Sequence, residues 1–207
     1  GGGVGGGGGG GGEWERGEGG RGKGGEAGAQ LAVRPEKVAY DGQAEFRTGG
    51  RAESDDMGLA RRCVAQQAKK DGLWLVGGAS PVAESKPRSF ARCYVYNTKA
   101  EVVGYYDKIH LFDADLASQE GNSAYRESDD FSAGEQVKTV RTELGVLGLT
   151  VCYDLRFAEL FQRLSNSGAE IVTVPSAFTA VTGEAHWQVL LRARAIENQL
   201  FVLGANM

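Results

Sequence analysis

The sequence predicts an α/β fold, and three observations predict it. Short apolar runs that read as strands alternate with charged segments of helical period, and the junctions between them carry glycine, proline or polar clusters. From residue 144 onward the order is strand, helix, strand, helix, strand. A chain of 207 residues is long enough for one well-buried domain, since roughly 70 % of the unfolded surface is lost at this size.

Of the 33 glycines, 17 fall in residues 1–25. The remainder of that stretch is mainly Glu, Arg and Lys, with almost nothing to bury, so residues 1–26 are expected to be a disordered glycine-rich tail and 27–207 the folded domain. Gln30-Leu31-Ala32-Val33 is a buried strand stopped by Pro35, and the loop that follows opens on Glu36. Met57 to Lys70 has helical spacing and closes at Asp71-Gly72. Leu73–Val76 is a second buried strand, expected to end at Gly77-Gly78. Ala91–Tyr96 and Glu101–Tyr106 flank a turn and read as a hairpin, with Lys108 directly after it.

Asp113 to Glu135 is polar and too long for a turn, so it is expected to be a functional loop. Val137–Val140 and Leu144–Val151 are strands, the second ending at Cys152. Leu155–Ser165 is a helix, Ile171–Val174 a strand, Ala185–Gln199 a long helix and Leu200–Leu203 a last strand.

The net charge of −4 speaks against nucleic acid or an anionic membrane as a partner. The few Arg–Gly and Lys–Gly pairs in the tail are balanced by acids and do not alter that expectation. No apolar run approaches 18 residues, and the N-terminal residues lack the pattern of a secretory signal. Three cysteines without a C-x-x-C pair indicate neither a disulfide framework nor a zinc site, so a cytoplasmic setting is expected.

A cysteine where an apolar strand runs into a helix is a place to put a nucleophile, because helix N–H groups there would favour a thiolate. A buried inert thiol is the plainer alternative. Glu36, Lys108 and Glu127 each read singly as surface charges, but Glu36 and Lys108 follow strand ends and Glu127 lies in the long loop, so all three are delivered towards one cleft. A Cys–His dyad would have to use His110 or His186, the only two histidines, and His186 beside Trp187 reads as a packed or capping residue. His110, Asp113 and Asp115 have metal-like spacing but read as a solvated loop.

The segments Pro35-Glu36, Tyr106-Asp107-Lys108-Ile109-His110-Leu111-Phe112-Asp113 and Cys152-Tyr153-Asp154-Leu155-Arg156-Phe157 strongly resemble the Glu–Lys–Cys motifs of the nitrilase-like carbon–nitrogen hydrolases. Pro175-Ser176-Ala177-Phe178, Ala185-His186-Trp187 and Arg192 to Gln199 extend the likeness. Within that family the sequence is most similar to the branch of deaminated glutathione amidase and omega-amidase. The resemblance implies an α-β-β-α sandwich whose first strand and C-terminal strands are absent from this chain.

It further implies amide hydrolysis through a cysteine thioester, with deaminated glutathione or a similar small omega-amide as substrate. Omega-amidase action on alpha-keto acid amides and an inactive remnant are the rival expectations. By resemblance Cys152 is the nucleophile, Glu36 the general base, Lys108 the oxyanion cation and Glu127 the glutamate that positions it. The Tyr153 N–H is the second oxyanion donor, and Arg156 either a substrate carboxylate binder or an ion-pair former with Asp154 or Glu159. No cofactor is implied, and the expected partners are a small-molecule amide and a second copy in a homodimer. Three positions depart from the family pattern: Arg34 before Pro35, Ala133 before Gly134, and Ala158 after the nucleophile.

Overall fold

The computed structural model describes residues 28–36, 59–84, 88–118 and 121–207. The expected tail and the first residues of the expected Met57–Lys70 helix lie outside them. β1 (Leu31–Val33) runs parallel to β2 (Trp74–Val82), which pairs antiparallel with β3 (Ser89–Tyr96), and β3 pairs antiparallel with β4 (Val102–Asp107). The short β7 (Phe131–Ser132) adds parallel to β3. The second sheet has the order β11 (Phe201–Asn206), β10 (Ile171–Ser176), β9 (Gly145–Leu149), β8 (Thr139–Thr142), with the first two pairings parallel and the last antiparallel.

The two sheets face each other, as the residues between them require. Val76, Ala79, Val95 and Tyr106 of one sheet share a core with Val140, Leu147 and Leu149 of the other, all buried. Helix α1 (Leu59–Asp71) covers the outer face of the first sheet through Val64, Ala65 and Ala68 packed on Leu75, Tyr94 and Tyr96. Helices α2 (Ala158–Asn166) and α4 (Gln188–Asn198) cover the second, with Leu160, Phe161 and Leu164 of α2 against Val172 and Val174. The layers are therefore helix, sheet, sheet, helix, the sandwich expected from the motifs. No helix among the described residues is long and apolar enough to cross a membrane.

Four local expectations are corrected. Gly77-Gly78 does not end β2: the register against β3 shifts between Val76 and Ala79 with Gly78 at φ +66°, which is a bulge inside a continuing strand. The expected loop from Asp113 contains a hairpin, β5 (Asp113–Ser118) with β6 (Gly121–Arg126), and a 3₁₀ turn, Glu127–Asp129. The helix after the nucleophile does not begin at Leu155; a 3₁₀ turn, Cys152–Arg156, comes first and α2 starts at Ala158. The late helix opens earlier than Ala185, with the single turn α3 (Ala180–Thr182) and a π turn (Gly183–Trp187) before α4. Pro175 sits inside β10 without breaking the sheet because β9 pairs only with Ile171 to Thr173, so its missing N–H falls past the end of β9.

Candidate active site

Glu36 lies where β1 leaves its sheet. Arg34 N–H still donates to Val76 O at 2.9 Å, Pro35 ends the ladder, and Glu36 then touches both sheets: its N–H donates to Ser176 O at 3.3 Å and its C=O accepts from Ala79 N–H at 2.9 Å. Lys108 follows β4. Just before it Asp107 takes two bonds from Arg92, at 2.6 and 2.9 Å, while Lys108 N–H donates to Ala91 O at 3.0 Å and Lys108 O accepts from Gly134 N–H at 2.8 Å.

That last contact leaves no room for a side chain, since a Cβ on Gly134 would meet Asp107 O at 2.1 Å. Gly134→Ala is therefore expected to push the Lys108 segment away, costing about 1–3 kcal/mol in urea unfolding and lowering turnover in the same assay series.

Glu127 heads the 3₁₀ turn after β6. Its N–H donates to Phe112 O at 3.1 Å, and its Oε2 accepts from Phe112 N–H at 2.7 Å. Cys152 takes φ +48°, a left-handed conformation that a residue with a Cβ adopts only where its surroundings impose it, as at a tight strand-to-turn junction.

These four residues meet. Lys108 Nζ donates to Glu36 Oε1 at 2.9 Å and to Glu127 Oε1 and Oε2 at 3.0 and 2.9 Å, all three side chains being buried. The Glu36 carboxylate and the Ala177 N–H lie beside the Cys152 thiol and act on it electrostatically. Burial works against the Lys108 charge, yet Glu36 and Glu127 outweigh it and hold the ammonium well above the ordinary lysine range. Burial also raises Glu127, and Lys108 only partly offsets it.

The thiol does not behave as the helix-end reading expected. Burial and the neighbouring Glu36 charge push it well above the ordinary cysteine value, against smaller opposing effects from Lys108 and the Ala177 N–H. The 3₁₀ turn of five residues gives little dipole, so the resting group is a protonated thiol beside Glu36. Cys93, which unlike the half-buried Cys152 is fully buried, is pushed up to about 12 by that burial, and no carboxylate among the described residues contributes to its shift.

Tyr153 is the second residue of that turn, where an N–H has no partner within the turn. Its ring packs edge-on against Phe112 and Phe157, at centroid distances of 5.0 and 5.4 Å. Arg156 makes neither of the expected ion pairs. Its guanidinium contacts His186 Nδ1 at 3.3 Å and lies 5.4 Å from the Phe178 ring and 5.9 Å from the Tyr153 ring. On α4, Arg194 donates to Glu197 at 2.5 Å.

Some site features are not legible in the sequence: the Ala177 N–H beside the thiol, the π turn that presents His186, and the bonds of Asp154. A single π turn of five residues is too short to show a period in the sequence, although such turns gather at functional sites. The Asp in Cys152-Tyr153-Asp154 was in view as part of a motif, but spacing could not say what it bonds.

The site sits in a chain with clear relatives. Residues 23–207 match the family model for carbon-nitrogen hydrolase. Deaminated glutathione amidase of Yersinia enterocolitica is 43% identical over 182 residues, which cover 86% of this chain and 62% of that protein. The protein of that name from Rattus norvegicus is 40% identical over 86% of this chain and 55% of its own length, and omega-amidase NIT2-B of Xenopus laevis 36% identical over 72% and 52%. The chain thus spans between 52% and 62% of the length of these relatives.

Among solved structures, Saccharomyces cerevisiae Nit3, a member of branch 10 of the nitrilase superfamily, superposes with a TM-score of 0.72 at 29% identity, covering 86% of this chain and 62% of that one. An amidase from Nesterenkonia sp. gives 0.71 at 27% identity, covering 89% and 65%. With the family model matched over most of its length and the same sandwich recovered in solved members, this chain belongs to the carbon-nitrogen hydrolase family.

Proposed function

We propose that the chain hydrolyses the C–N bond of a small carboxamide through a thioester on Cys152. The observation that carries this reading is one buried ammonium, Lys108, bonded at 2.9–3.0 Å to two carboxylates, with the Cys152 thiol beside the first of them. Glu36 takes the thiol proton as sulfur attacks the amide carbon, so the resting proton sits on sulfur until a substrate is there to accept the electron pair. The oxyanion formed is stabilised by Lys108 Nζ and the Tyr153 N–H. When the C–N bond breaks, Glu36 returns the proton to nitrogen and ammonia leaves. Glu36 then deprotonates a water that attacks the thioester; the C–S bond breaks, the acid departs and the thiol is re-formed. Glu127 keeps Lys108 charged and aimed.

Deaminated glutathione, or a similar omega-amide carrying a carboxylate, is the proposed substrate, as the names of the relatives suggest. Arg156 supports an acidic substrate, because among the described residues its contacts are two rings and His186, and no carboxylate pairs with it. Alpha-keto acid omega-amides are the second candidates. A cytoplasmic setting is proposed on the three free cysteines, and a homodimer on the exposed Val189, Ile196 and Phe201 of α4 and β11.

The test is ammonia release from a panel of omega-amides with and without a carboxylate. Turnover that Cys152→Ala reduces by at least about 1,000-fold supports the reading and ranks the substrates. A folded chain that releases no ammonia from any of them overturns it.

A further inference from the structure

Asp154 is fully buried, and no step of the proposed reaction uses it. Its Oδ1 accepts from the His110 N–H at 3.0 Å and from His110 Nδ1 at 2.7 Å; its Oδ2 accepts from the Tyr106 hydroxyl at 2.8 Å and the Val151 N–H at 2.9 Å. The Tyr106 oxygen in turn accepts from the Ile109 N–H at 3.1 Å. The donors are not scattered. Residues 106, 109 and 110 bracket Lys108, and Val151 immediately precedes Cys152.

One carboxylate therefore joins the end of β4 in one sheet to the turn after β9 in the other. A buried carboxylate is tolerable only if its lone pairs are filled, so the four donors are drawn in together and losing one is costly. The His110 ring is fixed further by stacking on Phe157, with centroids 3.6 Å apart and planes 8° from parallel. Tyr106 is buried as well, so its hydroxyl has no water to turn to.

We propose that Asp154 is a positioning residue that, through His110 and Tyr106, sets the Lys108 ammonium against the Cys152 thiol. Its catalytic meaning rests on the amidase reading, but its effect on the thiol does not. A displacement of about 1 Å between reacting groups can cost about 100-fold in rate, which is the scale on which such a brace acts.

The test compares Asp154→Asn, His110→Ala and His110→Asn. Two rates are read: ammonia release, resolved into kcat and KM, and alkylation by iodoacetamide, resolved by peptide mass spectrometry. Exposed Cys63 serves as the internal control. The Asn side chain at 110 keeps an N–H donor near the position of Nδ1, so it separates loss of the bond from loss of the ring.

Asp154→Asn and His110→Ala are expected to slow both Cys152 alkylation and kcat by about 10- to 100-fold, with KM within about twofold and Cys63 unchanged; His110→Asn recovers most of the loss. Wild-type Cys152 reactivity in folded His110→Ala overturns the proposal, and so does His110→Asn reacting no faster than His110→Ala. Should Asp154→Asn fail to fold, the two His110 variants decide. Should the wild type release no ammonia, the amidase reading fails while alkylation still decides the brace.

Discussion

Lys108→Met is expected to remove ammonia release, by at least about 1,000-fold, and to lower the free energy of unfolding by about 3–5 kcal/mol. Methionine replaces the length of the side chain but leaves Glu36 and Glu127 buried side by side without a countercharge. The pH dependence follows from the directions of the shifts. Lys108 is raised when folded, so its stabilisation is complete below the ordinary value of 10.5 and is lost as pH rises through the raised one.

Glu127 is also raised, above 4.5, and an acid shifted that way burdens the folded state while charged. The burden lifts as pH falls through the raised value. With the lysine gone this second effect dominates, so the deficit of Lys108→Met should be smaller at pH 5 than at pH 8 in urea titrations. Equal deficits at both pH values, together with retained activity, would remove Lys108 from both roles.

Glu36→Gln is expected to cut kcat by about 100- to 10,000-fold with little change in the urea midpoint. Glutamine keeps the volume and an oxygen that can accept from Lys108, so the site stays closed. It cannot take a proton. Because burial holds the Cys152 thiol protonated, attack then has no base to start it, and rapid-quench experiments should find no acyl-enzyme. Undiminished turnover in this variant would mean that another group deprotonates the thiol. The contrast between the two variants is informative in itself: one loses activity and stability together, the other loses activity alone.

The alternation of strands and helices was readable because the strands are short apolar runs and the helices carry one apolar stripe, as in Leu73–Val76 and α2, while the sandwich followed only from the resemblance of the motifs. What failed was local. Gly77-Gly78 has the composition of a stop, and only pairing with β3 turns it into a bulge. The β5–β6 hairpin has polar strands such as Gly121–Arg126, so no alternation marked it.

The four site residues were named from their motifs and strand ends, and the structure bonds Lys108 to Glu36 and Glu127 with Cys152 beside Glu36. The protonation state of Cys152 was not legible, because it depends on burial and on Glu36, whose position is set 116 residues earlier in the chain. Nor were the contacts of Arg156 and Asp154, which join side chains from elements whose separation a sequence does not record.

The bond between Lys108 and Glu36 closes a loop of 72 residues and crosses from β1 to the end of β4. Closing so long a loop around three charges gains nothing until all of them have arrived, since any one alone would lose its water without a partner. The site should therefore form late in folding, after the apolar faces of the two sheets have met. Substitutions there then act mainly on how fast the native protein opens and hardly on how fast it forms, and recovery of turnover marks the end of refolding.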